Sequence, residues 1–125
     1  MAREKLELEF VINSSPAILF NYLSTPSGLS EWFCDNVNIK GKNYVFIWDG
    51  DETEAEVLKK VSGKYVRFRW VDGEDDEYFQ FEITRDELTN DIAVVITDWV
   101  DDDEIEESEL LWESQINDLK NSLGV

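Results

Sequence analysis

The side chains of this chain that could do chemistry are carboxylates and aromatics. Its 125 residues hold 29 Asp and Glu against 11 Lys and Arg, a net charge of −18, and no His. Without histidine the commonest general base, pH switch and metal ligand are missing. Cys34 is the sole cysteine, so it has no internal disulfide partner, and it sits in the apolar run Trp32-Phe33-Cys34. That is the setting of a buried, unreactive thiol. Paired carboxylates, the requirement of glycoside hydrolysis, arise by chance in so acidic a chain and carry no information. The acidic run from Asp98 to Glu109 invites a calcium reading, but it lacks the EF-hand loop and its glycine. Solvated charge around a helix start accounts for the run, and neither a metal nor a cofactor is expected.

The same charge sets the partners. A strongly anionic surface repels nucleic-acid phosphates and anionic membranes. No apolar run reaches the length of a membrane span. Met-Ala-Arg-Glu-Lys leads straight into a strand pattern without an apolar leader core, so a soluble, cytoplasmic protein is expected. Five Trp, seven Phe and four Tyr rule out disorder and supply a real core, for one domain over residues 1–125.

These aromatics need elements to position them. Leu6, Leu8, Phe10 and Ile12 alternate with Glu7 and Glu9, a strand with one buried face. Ser15 then Pro16 is a helix start, and Thr25-Pro26 ends that helix. A second short helix over roughly 26–33 finishes in Trp32-Phe33. Short strands follow. With Asp49-Gly50 as a two-residue hairpin loop, Trp48 opposes Asp51, Phe46 opposes Thr53 and Tyr44 opposes Ala55. The turn at Ser62-Gly63, treated alike, sets Val61 opposite Lys64 and Arg69 opposite Glu56. Both hairpins put Phe46, Trp48, Phe68 and Trp70 on one face. Phe79, Phe81 and Ile83 alternate in a further strand, and residues 92–100 read as a covered strand, apolar on both faces over most of its length. The last stretch, 102–125, is an amphipathic helix. Ile105, Trp112, Ile116, Leu119 and Leu123 fall within about 60° of arc, with Ser108 and Glu109 as polar members of the stripe. The order of strand, two helices, six strands and a long helix makes an α+β fold: an antiparallel sheet gripping its C-terminal helix.

That layout, with Pro16-Ala17-Ile18-Leu19-Phe20-Asn21-Tyr22-Leu23-Ser24-Thr25-Pro26 closing on Leu29-Ser30-Glu31-Trp32-Phe33, resembles the START-like helix-grip superfamily. It is most similar to the branch related to the activator of Hsp90 ATPase, where a tryptophan near the start of the long helix, here Trp112, recurs. The resemblance implies a cavity between helix and sheet that takes small hydrophobic molecules such as lipids, or a chaperone-partner role.

The expected lining of that cavity is Trp32, Phe33, Tyr44, Phe46, Trp48, Phe68, Trp70, Phe81, Trp99, Trp112 and Ile116, although the same aromatics suit simple core packing that leaves little room for a ligand. Ser108 and Glu109 either stand at its mouth or mark first helical turns that extend past the sheet into water, and the rarity of unpaired buried charge favours the second. The leading expectation is a non-enzymatic binding module for a small apolar ligand. The alternative is a protein-interaction module using an outer-face patch around Val45, Ile47, Tyr65, Arg67 and Arg69. A cyclase or aromatase-like enzyme would need a deep polar group, for which Glu109, Tyr44 and Thr53 are the candidates.

Overall fold

The computed structural model describes residues 2–125. Strand β1 (Arg3–Val11) is followed by helices α1 (Pro16–Ser24) and α2 (Pro26–Leu29). A meander follows: β2 (Asn36–Lys40), β3 (Asn43–Trp48), β4 (Asp51–Val61), β5 (Tyr65–Trp70), β6 (Phe79–Arg85) and β7 (Ile92–Asp101). The chain closes on helix α3 (Ile105–Leu123). The strands form one seven-stranded sheet in the order β1-β7-β6-β5-β4-β3-β2, every neighbour antiparallel. The expected helix-grip architecture is therefore present.

Local chemistry explains the corners. The Ser15 hydroxyl accepts the Ile18 N–H, with Pro16 as first helical residue. Thr25 ends α1 and caps α2: its own N–H and hydroxyl both donate to the Asn21 carbonyl, and Oγ1 accepts the Gly28 N–H at 3.0 Å. The two helices meet so closely at Gly28 that a Cβ there would lie 2.2 Å from the Asn21 carbonyl oxygen. Helix α2 stops at Leu29, shorter than the expected 26–33, and Ser30 to Phe33 are turns.

The β3–β4 hairpin has the expected register, Trp48 with Asp51, Phe46 with Thr53 and Tyr44 with Ala55. Asp49 and Gly50 both have positive φ, 52° and 87°, the conformation that an Asp-Gly hairpin loop favours. The next hairpin corrects the sequence expectation. Val61 pairs with Tyr65, not Lys64, so the loop has three residues. A register shift at Leu58 then restores the offset, and Glu56 still faces Arg69, with a 3.1 Å ion pair. A bulge inserts one residue on one strand only, which cancels the extra loop residue.

The helix-covered face of the sheet is filled by Phe46, Ala55, Val66, Phe68, Phe79, Phe81, Val94 and Ile96, all essentially inaccessible. Trp112, Ile116 and Leu119 of α3 and Leu19, Leu23 and Leu29 of the short helices close it from the other side. Each fully buried phenylalanine contributes roughly 2–3 kcal/mol by removal from water. The phenylalanines meet in a continuous aromatic network, with Phe68 and Phe79 stacked at 5.0 Å and Phe33 edge-on to Phe46 at 5.2 Å.

Candidate functional site: an aromatic groove at the end of the grip

The side chains at the centre of the helix–sheet interface are closely packed, and this changes where a ligand could sit. Phe46, Phe68, Phe81 and Ile116 are core side chains with at most 1% exposure. They support a site without lining one. The open space lies at one end of the grip, where the first half of α3 crosses the ends of β3, β5 and β7. A groove of about 400 Å³ runs there between Phe33, Trp48 and Trp70 on one side and Ser108, Leu111, Trp112 and Gln115 of α3 on the other. Asp98 of β7 completes it.

Each wall residue is held in place. Phe33, in the turn after α2, stacks on Trp112 at 5.8 Å with 10° between the planes. It also meets Trp48 edge-on at 5.2 Å. Its backbone carbonyl accepts the Trp48 indole N–H at 2.7 Å and the Gln115 side-chain amide at 3.3 Å. One carbonyl therefore joins the α2 turn, β3 and α3. Trp70 stacks on Phe79 at 4.6 Å and lies 6.0 Å from Trp48. The indole N–H groups of Trp48 and Trp112 are both spent on protein acceptors, the Phe33 carbonyl and the Asp98 carboxylate.

Asp98 is the chemical exception in this wall. It occupies the same face of β7 as Val94 and Ile96 and pairs with Leu6 of β1. One carboxylate oxygen accepts the Trp112 indole N–H at 3.0 Å, and the other accepts the Trp99 backbone N–H at 2.8 Å. Burial raises its pKa above the ordinary aspartate value, outweighing those two hydrogen bonds and nearby Arg3, which favour the charged form; Glu77 adds to the upward shift. Arg3 does not pair with it. The guanidinium is held by Glu77 at 2.7 Å and Asp101 at 3.1 Å, and these hydrogen bonds keep it protonated.

A second, larger hollow of about 730 Å³ adjoins the groove through Phe33, Trp48 and Gln115, and Trp32, Cys34 and Asp118 line it. Trp32 is buried, its indole N–H donating to the Tyr22 carbonyl at 2.8 Å. The Cys34 thiol is buried and pushed up to about 11, chiefly by desolvation.

Two expected lining residues are corrected. Trp99 shares a register parity with Thr97, which pairs with Gln80, and so lies on the sheet's outer face against Tyr78. A strand apolar on both faces gave no alternation to reveal this. Glu109 is exposed: although it falls on the apolar arc, the sheet does not reach over that side of the first helical turns. Ser108, half-buried, turns into the groove. Asp98, Leu111 and Gln115 were not expected as lining. Asp98 was absorbed into the acidic run as solvated charge, and its inward register after Val94 and Ile96 was the signal that could have singled it out.

The enzyme candidates find other employment. The Tyr44 hydroxyl donates to the Ser24 carbonyl at 2.9 Å, and burial raises its pKa. Thr53 is half-buried opposite Phe46. On the outer face, Arg67 stacks over Tyr78 at 4.2 Å and hydrogen-bonds Gln80, while Arg69 pairs with Glu56. Before α3, the carboxylates of Asp101, Asp103 and Glu104 lie within 4.8 Å of one another on the surface, and repulsion from Asp101 raises the Glu104 pKa.

A gripped C-terminal helix, the α1–α2 corner and a curved antiparallel sheet define a helix-grip architecture. The chain belongs to the START-like superfamily, whose domain model matches residues 1–125. The solution structure of BfR322 from Bacteroides fragilis is 34% identical, covering 98% of this chain and 92% of that one, with a TM-score of 0.69. The Aha1 dimer from Colwellia psychrerythraea shares the fold at 20% identity, TM-score 0.79, with 96% of each chain covered. DynU16, from the dynemicin biosynthetic locus, shares it at 14% identity and TM-score 0.80, over 97% of this chain and 47% of that one. A search of curated proteins finds no match. No helix is long and apolar enough to cross a membrane among the described residues.

Proposed function

We propose that this chain is a non-enzymatic, cytoplasmic binding module for a small, largely apolar molecule, seated in the end groove and not in the interior. The observation that carries this reading is the convergence of four aromatic side chains, Phe33, Trp48, Trp70 and Trp112, on about 400 Å³ of open space. Concave sites with mostly apolar walls and a few fixed polar groups are the usual seats of small ligands, and Asp98, Ser108 and Gln115 supply the polar groups here. Membership of the START-like superfamily supports a ligand-binding role. Native mass spectrometry of the purified protein, with displacement of a fluorescent apolar probe, tests it. A bound apolar molecule or saturable displacement is expected; the absence of both sinks the reading.

A protein partner is the second reading, in line with the resemblance to Hsp90 activators. Leu110 and Leu111 are 68% and 60% exposed on α3, and Leu111 borders the groove. A partner's apolar side chain could enter there. Stimulation of an Hsp90 ATPase by the purified domain would favour it; no effect, alongside saturable small-molecule binding, counts against it. The outer-face patch is a weaker candidate, because Arg67 and Arg69 are already engaged within the sheet.

A further inference from the structure

We infer that the groove selects an organic cation: a molecule with an apolar or aromatic body that rests on Trp48 and Trp70 and an ammonium group that pairs with Asp98. The inference rests on the binding-module reading and specifies the charge of its ligand.

Three observations carry it. The first is an unneutralised carboxylate. Asp98 is half-buried in an aromatic wall, accepts two N–H groups and makes no ion pair among the described residues. A charge withdrawn from water without a counter-ion is costly, and a cationic ligand relieves that cost. The nearest cation, Arg3, is held by Glu77 and Asp101 and is not available to supply the missing charge.

The second is the aromatic surround. Trp48, Trp70 and Trp112 border the groove together with Phe33. Tryptophan faces attract ammonium groups through the ring quadrupole, most strongly where water is thinned. Asp98 lies against this set through its bond from the Trp112 indole, so the carboxylate and the tryptophan rings border the same space.

The third is the sign of the charges in the lining. No Lys or Arg lines the groove or the adjoining hollow, whose rim adds Glu31, Asp35 and Asp118. Anionic ligands, fatty acids included, find carboxylates and no cation in that lining, and the overall charge of −18 draws cations toward the mouth.

The test compares three probes of matched shape on the full chain by calorimetry: phenylbutylammonium, phenylbutanol and phenylbutyrate. The ammonium is expected to bind about tenfold or more tighter than the alcohol, and the carboxylate weakest. Asp98→Asn should bring the ammonium down to the level of the alcohol, whereas Glu109→Gln, an exposed change outside the groove, should leave the order intact. Should Asp98→Asn fold poorly, the wild-type protein gives the same answer through pH. Lowering pH through the Asp98 pKa should erase the preference for ammonium while alcohol binding persists. Arg3 stays charged in that range, and the persistence of alcohol binding shows that the groove itself is intact.

Equal binding of alcohol and ammonium overturns the cation inference and leaves the apolar groove standing. A preference for ammonium that survives in Asp98→Asn and merely weakens with salt also overturns it, since the diffuse charge of the protein then explains the preference. Failure of all three probes to bind removes the groove reading as well.

Discussion

The indole N–H of Trp112 donates to the Asp98 carboxylate at 3.0 Å, tying the long helix to the last strand at the groove. The bond couples two features of different kinds: the aromatic anchor of α3 and a carboxylate that burial holds above its ordinary pKa. An aspartate with a raised folded-state pKa binds its proton more tightly folded than unfolded. Its contribution to stability is therefore fully present below the unfolded-state pKa and is lost as pH rises through the folded-state value. Unfolding midpoints in urea should rise as pH falls from neutral toward that window, and the rise should be shallower in Asp98→Asn. Parallel pH profiles of the two proteins would show that Asp98 is not the source. Relief of the net charge also favours acid pH, but it is nearly common to both proteins and leaves the difference between their slopes to Asp98.

Trp112→Phe removes the donor and keeps the ring that stacks on Phe33. A half-buried carboxylate then loses one of its two protein hydrogen bonds, a loss of about 1–3 kcal/mol. Denaturant unfolding measures it. A change below about 0.5 kcal/mol, within the scatter of ordinary surface substitutions, would mean that water replaces the bond.

Phe33→Ala tests how the groove is walled off from the core. Phe33 touches Phe46, Trp48, Phe81 and Trp112 at centroid distances of 5.2 to 5.8 Å. Its truncation should cost about 3–5 kcal/mol. It should also merge the groove with the adjoining hollow, so that bulkier neutral aromatics bind more tightly than to the wild type. Lower stability with unchanged ligand size selectivity would show that the ring does not bound the site.

Gly28→Ala tests the α1–α2 corner. The added methyl would meet the Asn21 backbone 2.2 Å away, and backbone cannot rotate aside as a side chain can. A loss of roughly 2–3 kcal/mol is expected, at the upper end for overpacking. A neutral result would mean that the corner opens easily.

How much of this was legible in the sequence depends on how local each signal was. The Asp49-Gly50 loop carries its own conformational requirement, so the β3–β4 register and the face holding Phe46 and Trp48 followed from it. Ser15-Pro16 and Thr25-Pro26 fixed the helix ends in the same way. The second hairpin was misread at Lys64, yet Arg69 and Glu56 still meet because the irregularity at Leu58 compensates. A bulge leaves no mark in the alternation of a strand as charged as β4. Trp99 was assigned to the wrong face because residues 92–96 are apolar throughout. The helical wheel puts Glu109 on the apolar arc, and the reading that the first turns of α3 run past the sheet into water accounts for its exposure. Core packing was one of the two readings that the aromatic set allowed, but the fit of a core is a sum of volumes over many side chains, so no stretch of sequence places the open space at the groove beside Trp48, Trp70 and Trp112.

The central claim is that a small molecule binds in the groove, and the five tryptophans are built-in reporters for it. Trp48, Trp70 and Trp112 line the groove, Trp99 lies on the outer face, and the Trp32 N–H is turned back onto Tyr22. Titration of the protein with phenylbutylammonium, followed through the five indole N–H resonances in a heteronuclear correlation spectrum, reads all of them at once. Saturable shifts are expected at Trp48, Trp70 and Trp112, with Trp32 and Trp99 nearly still. Shifts centred on Trp99, or no saturable shift at all, would contradict binding in the groove.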